Sequence, residues 1–355
     1  MRVLFILPGR GGGGGANSVM QESIGLKQYG VESTIATSGR TLESFRSSYP
    51  ELEDRGVRIV GFDESRDLTD ELKRCDVAVA TTYQSAYTLR DAMKAAGVNV
   101  RTAYYVQDYE PLFCLPGSTE WDRARDSYSL VADQLLFAKT KWLCEIVEAN
   151  HQRAVRKVLP SIDHHVYFPG RKPDRERISI SAMIRPRTPR RAPHRTARIL
   201  ERIADTFGDK VELTAFGSPP DEMSNFGIRL SDRVQQRGHL SRRDVADVLR
   251  ASDIFLDLSD YQAFGRTGLE GMACGAIPVL PRLGGTDEYA RNFVNAMLVD
   301  TRDDAAIMRA VSDIILLDGK ARKGMTVAAV ETSLNYTAEK AAFSEYTAFS
   351  ELLAA

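Results

Sequence analysis

The chain has 355 residues, 43% hydrophobic and 27% charged, with a formal net charge of −1. That length suits two domains of roughly 150–200 residues each, and the near-neutral balance supplies no global field toward nucleic acid. Four scattered cysteines (Cys75, Cys114, Cys144, Cys274) have neither CxxC nor His/Cys ligand spacing and read as reduced thiols of a cytoplasmic protein. The apolar run near the N-terminus is too short for a leader core, and no stretch reaches the 18 apolar residues of a membrane span. Peripheral contact with the inner face of a membrane stays open.

RVLFIL (2–7) is a continuous apolar run ending in Pro-Gly, the pattern of a buried parallel strand. A helix is expected over 16–29, with Gly30 as its C′ residue. Strands are then expected at 33–37, 57–62, 76–81, 101–106 and 134–139, with helices near 41–54, 84–96 and 118–132. PSIDHHVYFPGRKPDRER (160–177) carries three prolines and a charge run and reads as a domain boundary. Alternation restarts with strands at 178–183, 211–216, 253–258 and 276–280, and helices near 194–207, 241–250 and 266–274. Helices near 303–318, 320–333 and 337–354 close the chain. This rhythm predicts two doubly wound α/β domains facing across a cleft, with ligands beyond the carboxyl ends of the strands.

Three stretches carry chemistry. PGRGGGGGANS follows the first strand, and Gly9, Gly11 and Gly14 satisfy G-x-G-x-x-G. Such a loop, with Gly12 and Gly13 at its centre, lets backbone N–H groups approach an anion or a sugar. A dinucleotide site also wants an acidic residue at the end of the second strand. That strand ends ATSGR, where only Arg40 would suit a 2′-phosphate, and an inert flexible loop is the third reading. RPRTPRRAPHRTAR (185–198) begins at a strand's carboxyl end. Guanidinium forks match phosphate oxygens in pairs, so Arg185, Arg190 and Arg191 are candidates for a diphosphate, against a plain solvated basic loop. Arg195 and Arg198 are expected on a solvent-facing helix. In SDYQAFGRTGLE (259–270) the helix starts near Gly265, so the N–H groups of Gly265, Arg266 and Thr267 would face a phosphate. Glu270, one turn on, would accept from ribose hydroxyls, or simply sit in the dipole of the first turn. His164 and His165 point apart as neighbours and lack a third ligand, so linker packing is expected and no metal.

QAFGRTGLEGMACGAIPV, starting at Gln262, resembles the signature of glycosyltransferase family 4, E-G-F-G-x-x-x-x-E-A-M-A-x-G-x-P-V. PRLGGTDEY (281–289) continues the likeness. VQQRGHLSRRDVADVLRASDIFLDLSD resembles the family's base-binding region, with Gly238, His239 and Leu240 as its turn. The resemblance implies a GT-B enzyme with two Rossmann-like domains: 1–165 for the acceptor, and 166–336 for the nucleotide-sugar donor. The helix at 337–355 would pack back on the first domain. It implies a retaining transfer without metal or other cofactor, from a nucleotide-diphosphate sugar to a glycan or lipid-linked glycan in bacterial surface polysaccharide biosynthesis. Phe264, Gly265, Arg266, Thr267 and Glu270 would hold the donor; Arg190 would stabilise the departing charge. One departure stands out: the first acid of the E-x7-E pair is Gln262. YYVQDYEPLF (104–113), together with SDYQAFGRTGLE, is similar to a subgroup that includes rhamnosyltransferases, which favours dTDP-L-rhamnose as donor and leaves UDP- and GDP-sugars open. Gln107 and Asp108 end a strand where relatives contact donor sugar. Asp108 would orient the acceptor hydroxyl or merely cap a turn. The alternatives are a nucleotide-sugar epimerase or hydrolase of the same fold, an NADP-dependent oxidoreductase, and a binder without turnover.

Overall fold

The computed structural model describes residues 1–9, 11–172 and 176–355. Arg10 of the glycine run and residues 173–175 of the expected boundary segment lie outside the described residues. The chain divides into two units, Met1–Ser161 with Tyr336–Ala355, and Ile162–Asn335.

The first unit is built on seven strands: β1 (Arg2–Ile6), β2 (Glu32–Ser38), β3 (Arg58–Phe62), β4 (Val77–Ala80), β5 (Arg101–Val106), β6 (Leu135–Ala138) and β7 (Val155–Lys157). They pair in parallel in the order β3-β2-β1-β4-β5-β6-β7. β1 and β4 lie mid-sheet, covered on both faces, which is why VLFI and VAVA are unbroken apolar runs. Helices return the chain between strands. Tyr83–Ala96, for example, starts on a Thr82/Ser85 capping box and stops at Gly97 in the left-handed region. The core gathers Val3, Phe5, Ile35, Val79, Tyr105 and Phe137. The last helix, Ala338–Ala354, packs on helix Gly14–Leu26. A Cβ at Gly25 would stand 2.7 Å from Ala342 Cβ, so glycine sets the closeness of that approach. Phe349 meets Phe5 and Phe137 edge-on, tying the C-terminal helix to the first core.

The second unit repeats the plan with β8 (Ile178–Met183), β9 (Val211–Phe216), β10 (Val234–Gln236), β11 (Ile254–Leu256), β12 (Ile277–Pro281) and β13 (Met297–Val299). The order is β10-β9-β8-β11-β12-β13, again parallel. Its core is separate and includes Ile180, Leu200, Ile203, Leu213, Ile254, Val279 and Ile314. In both sheets the strand order reverses beside the first strand, between β1 and β4 and between β8 and β11. Chains leave those two strands in opposite directions, which opens a crevice at their carboxyl ends.

The expected elements differ from the observed ones mainly at the sheet edges. β7, β10 and β13 have three residues each, too few for alternation to register. Helices Thr69–Arg74, Lys141–His151 and Pro220–Asn225 are likewise additional. β11 ends at Leu256, not 258, which moves Asp257 to the strand's carboxyl end. Among the described residues no helix is long and apolar enough to cross a membrane.

Candidate functional site

The arginine segment leaves β8 and the segment 257–265 leaves β11, so both emerge at the reversal of the second sheet. They are joined there: Asp260 N–H donates to the Arg190 carbonyl at 2.9 Å. Residues Pro189–Arg191 form one 3-10 turn, and Ala192 follows at φ 48°, a left-handed conformation that costs an alanine energy. Arg190 and Arg191 are half-buried. Arg185 keeps an exposed surface, yet protein crowds it enough that desolvation lowers its pKa, with repulsion from Arg191 and Arg190 adding to the effect. Asp257 and Glu270 act in the opposite sense. Arg185 therefore feels two carboxylates and two other arginines at once.

Glu270 is 5% exposed in helix Arg266–Ala273. Burial pushes its carboxyl pKa up, while Arg266, Arg242 and Arg185 draw it back down. Arg242 is itself held by Asp163 at 2.6 Å, and Tyr167 is buried close enough that Glu270 helps raise its pKa, after desolvation. The carboxylate is thus a buried charge balanced by cations on three segments of the unit.

Gly265 begins that helix at φ 80°, ψ 47°. A Cβ there would stand 2.7 Å from Tyr289 Oη and 2.9 Å from Thr286 Cγ2. Tyr289 O–H donates to the Gly265 carbonyl at 2.7 Å, so the tyrosine that blocks a side chain also fixes the loop. Glycine as N-cap has no side chain to bond the first amides, and the first turn holds no acid. Such an end favours an anion. Arg266, Thr267 and Phe264 are half-buried, and Phe264 meets Tyr289 edge-on.

Gln262 is 5% exposed. Its Nε2 donates to Asp257 Oδ2 at 2.5 Å and to Ser259 Oγ at 3.1 Å. Gly285 N–H donates to its carbonyl at 2.7 Å, and a Cβ at Gly284 would overlap that oxygen.

At the neighbouring turn, Gly217 N–H donates to the Gly238 carbonyl at 2.8 Å, bringing the loop after β10 beside the loop after β9. Gly238 is left-handed at φ 63°. The His239 ring is 70% exposed, with Nε2 3.4 Å from Glu222 Oε2. Glu222 also accepts from Arg187 Nε at 2.6 Å, a hydrogen bond that lowers its pKa. Leu240 is half-buried behind the turn.

In the first unit, Gly12 and Gly13 are exposed, and Gly12 N–H donates to Tyr49 Oη at 2.8 Å. Gln107 reaches this loop: a Cβ at Gly15 would collide with Gln107 Oε1. Gln107 Nε2 donates to the Thr81 carbonyl at 3.4 Å. The glycine loop and the end of β5 are thereby neighbours at the reversal of the first sheet. Asp108 Oδ1 accepts from the next residue's amide, Tyr109 N–H, at 2.9 Å.

Arg195 departs from expectation. It is 17% exposed and donates to the Leu258 carbonyl at 3.0 Å and Asp260 Oδ1 at 2.9 Å, bracing the loop after β11 rather than facing solvent. Arg198 does face solvent, paired with Asp304. His165 N–H donates to Asp163 Oδ1, the His164 ring is half-buried, and among the described residues no group of three His, Cys, Asp or Glu could hold a metal. Asp257, Ser259, Asp163, Arg242 and Tyr167 escaped the sequence reading. Only Asp257 had a usable signal, an acid inside an otherwise apolar strand run.

Residues 192–331 match the family model for glycosyl transferases group 1. The O-antigen biosynthesis protein RfbC of Myxococcus xanthus is 28% identical over 208 residues, 59% of this chain and 16% of that protein. The mannosylfructose-phosphate synthase of Agrobacterium fabrum is 34% identical over 98 residues, 27% of this chain and 21% of that protein. The chain thus spans well under half the length of these curated relatives. The crystal structure of Anabaena Alr3699/HepE in complex with UDP and glucose superposes with a TM-score of 0.81 at 15% identity, covering 99% of this chain and 100% of that one. A likeness at that identity speaks for the fold. The chain has the GT-B fold, and its second unit carries, over residues 192–331, the match to glycosyl transferases group 1.

Proposed function

We propose that the protein is a glycosyltransferase that binds a nucleoside-diphosphate sugar in its second unit. One observation carries this reading. At the sheet reversal the arginine segment is joined to the loop after β11 by Asp260 N–H donating to the Arg190 carbonyl at 2.9 Å, and that loop runs into a helix whose N-cap is Gly265 and which holds the buried Glu270. Cations and the N-terminal amides of a helix suit a diphosphate; a buried carboxylate suits ribose hydroxyls. The turn at Gly238, His239 and Leu240 would take the base.

Transfer then needs little beyond electrostatics. Charge grows on the diphosphate as the glycosidic bond breaks, and Arg185, Arg190, Arg191 and the amides of 265–267 stabilise it where it develops. We propose attack on the face the diphosphate leaves, with the departing phosphate oxygen taking the acceptor's proton; configuration is then retained. The arginines supply the positive charge that a metal ion supplies elsewhere, so no cofactor is invoked. Gln107, Asp108 and the Gly12–Gly13 loop are proposed for sugar recognition in the first unit. The donor reading from the sequence is dTDP-L-rhamnose, and the acceptor a glycan or lipid-linked glycan of a bacterial surface polysaccharide, a setting the name of RfbC supports. A UDP-sugar is the second reading, favoured by the UDP complex of the Anabaena structure.

A thermal-shift panel of UDP, dTDP, GDP and ADP tests the binding claim. A ligand at 100 times its Kd stabilises by about 2.7 kcal/mol, so one base should raise the midpoint and the others less. No shift with any of the four would refute nucleotide binding.

A further inference from the structure

We propose that Asp257 is a positioning residue that locks the Gln262 amide in one orientation, so that Oε1 is presented as a neutral acceptor for a donor-sugar hydroxyl. The inference rests on the reading of this site as the donor site and adds what reads the sugar.

An ionised carboxylate can only accept, so the group 2.5 Å from Asp257 Oδ2 must be the amide nitrogen of Gln262. Ser259 O–H donates to Asp257 Oδ1, which leaves the Ser259 oxygen to accept the second Nε2 proton at 3.1 Å. Both amide protons are committed, and the direction of every bond in the set follows from one charge. Ser259 is 1% exposed, and its carbonyl is held by Thr301 Oγ1 at 2.7 Å, so the frame has little freedom to move. The Gln262 backbone is pinned by Gly285 N–H. What the side chain still offers is Oε1. Donation to a carboxylate strengthens that oxygen as an acceptor, because linked hydrogen bonds polarise one another.

The arrangement also accounts for the amide at 262. A glutamate there would set a second carboxylate against Asp257, and two such groups in contact cannot both stay ionised. The chain instead keeps the negative charge on Asp257, within the field of Arg185. The predicted ligand chemistry is a sugar that donates a hydroxyl hydrogen at this point.

The test uses the full chain and calorimetric titration with UDP, dTDP, UDP-glucose and dTDP-L-rhamnose. The readout is the sugar increment: the affinity ratio of a nucleotide sugar to its free nucleotide. Asp257→Asn is nearly isosteric but no longer dictates the amide's direction. It should cut the sugar increment, a ratio that cancels any change in free-nucleotide affinity, about tenfold, the size of a charge-assisted hydrogen bond. An unfolding midpoint close to that of the wild type is the folding control. The double variant Asp257→Asn with Gln262→Glu reverses the polarity, so that an amide at position 257 donates to a carboxylate at position 262, and should recover most of the increment. An unchanged increment in Asp257→Asn, or a double variant no better than the single, would overturn the inference while leaving nucleotide binding intact. Absence of binding by the wild type to all four probes would overturn both readings.

Discussion

Replacing Gly265 by alanine should cost the fold several kcal/mol, and a matched glycine separates the two causes. At φ 80° an L-residue pays roughly 1–2 kcal/mol for a left-handed backbone. The new Cβ would also stand 2.7 Å from Tyr289 Oη and 2.9 Å from Thr286 Cγ2. Neither can yield cheaply, since both residues are buried and Tyr289 is bonded to the Gly265 carbonyl. Overpacking of that kind adds about 1–3 kcal/mol. The sum, about 2–5 kcal/mol, is a large share of a typical 5–15 kcal/mol stability. Gly275 has nearly the same backbone, φ 86°, but its Cβ would meet only Thr326 Cγ2 at 3.7 Å and Lys172 Cε at 4.0 Å. Gly275→Ala should therefore show the backbone term alone, about 1–2 kcal/mol. Urea unfolding of the two variants, followed by fluorescence, measures the difference. Gly265→Ala should also weaken nucleotide binding, because the helix start must shift. Equal losses in the two variants would refute the steric argument, and a loss under about 0.5 kcal/mol at Gly265 would refute both terms.

Glu270→Ala should lose most nucleotide affinity, at least tenfold in Kd by calorimetry, because it removes the proposed ribose acceptor. Arg185→Ala and Arg190→Ala should slow transfer more than they weaken binding of the free nucleotide, read as a fall in kcat with the nucleotide-sugar donor. Glu345, on the last helix, is fully buried near the Glu22–Lys139 ion pair, with neither carboxylate oxygen hydrogen-bonded, and burial raises its pKa to about 7. Its folded pKa lies above the ordinary carboxyl value, so the native state holds a proton that the unfolded chain releases between about pH 4.5 and 7. Stability from this group is full below that window, falls across it by up to about 3 kcal/mol, and is flat above. Glu345→Gln should flatten that slope in unfolding midpoints measured from pH 5 to 8; an unchanged slope would exclude Glu345 as its source.

The β/α rhythm was legible because central parallel strands are covered on both faces and must be apolar throughout, as VLFI and VAVA are. Edge strands of three residues leave no such mark. The helix start at Gly265 was legible from the glycine itself. The partners of the site were not. Asp257 and Gln262 are five residues apart on a strand end and a loop, a spacing for which no periodicity predicts contact. Asp163 and Arg242 are 79 positions apart and meet only through the fold. Arg195 looked solvent-facing because helical position alone does not reveal that Asp260 projects toward it.

The most direct test of the central claim is a crystal structure of the protein with bound UDP or dTDP. The account predicts the diphosphate against the amides of residues 265–267 and the Arg185 guanidinium, with a ribose hydroxyl on Glu270. A diphosphate lodged at any other part of the chain, with Glu270 untouched, would contradict it.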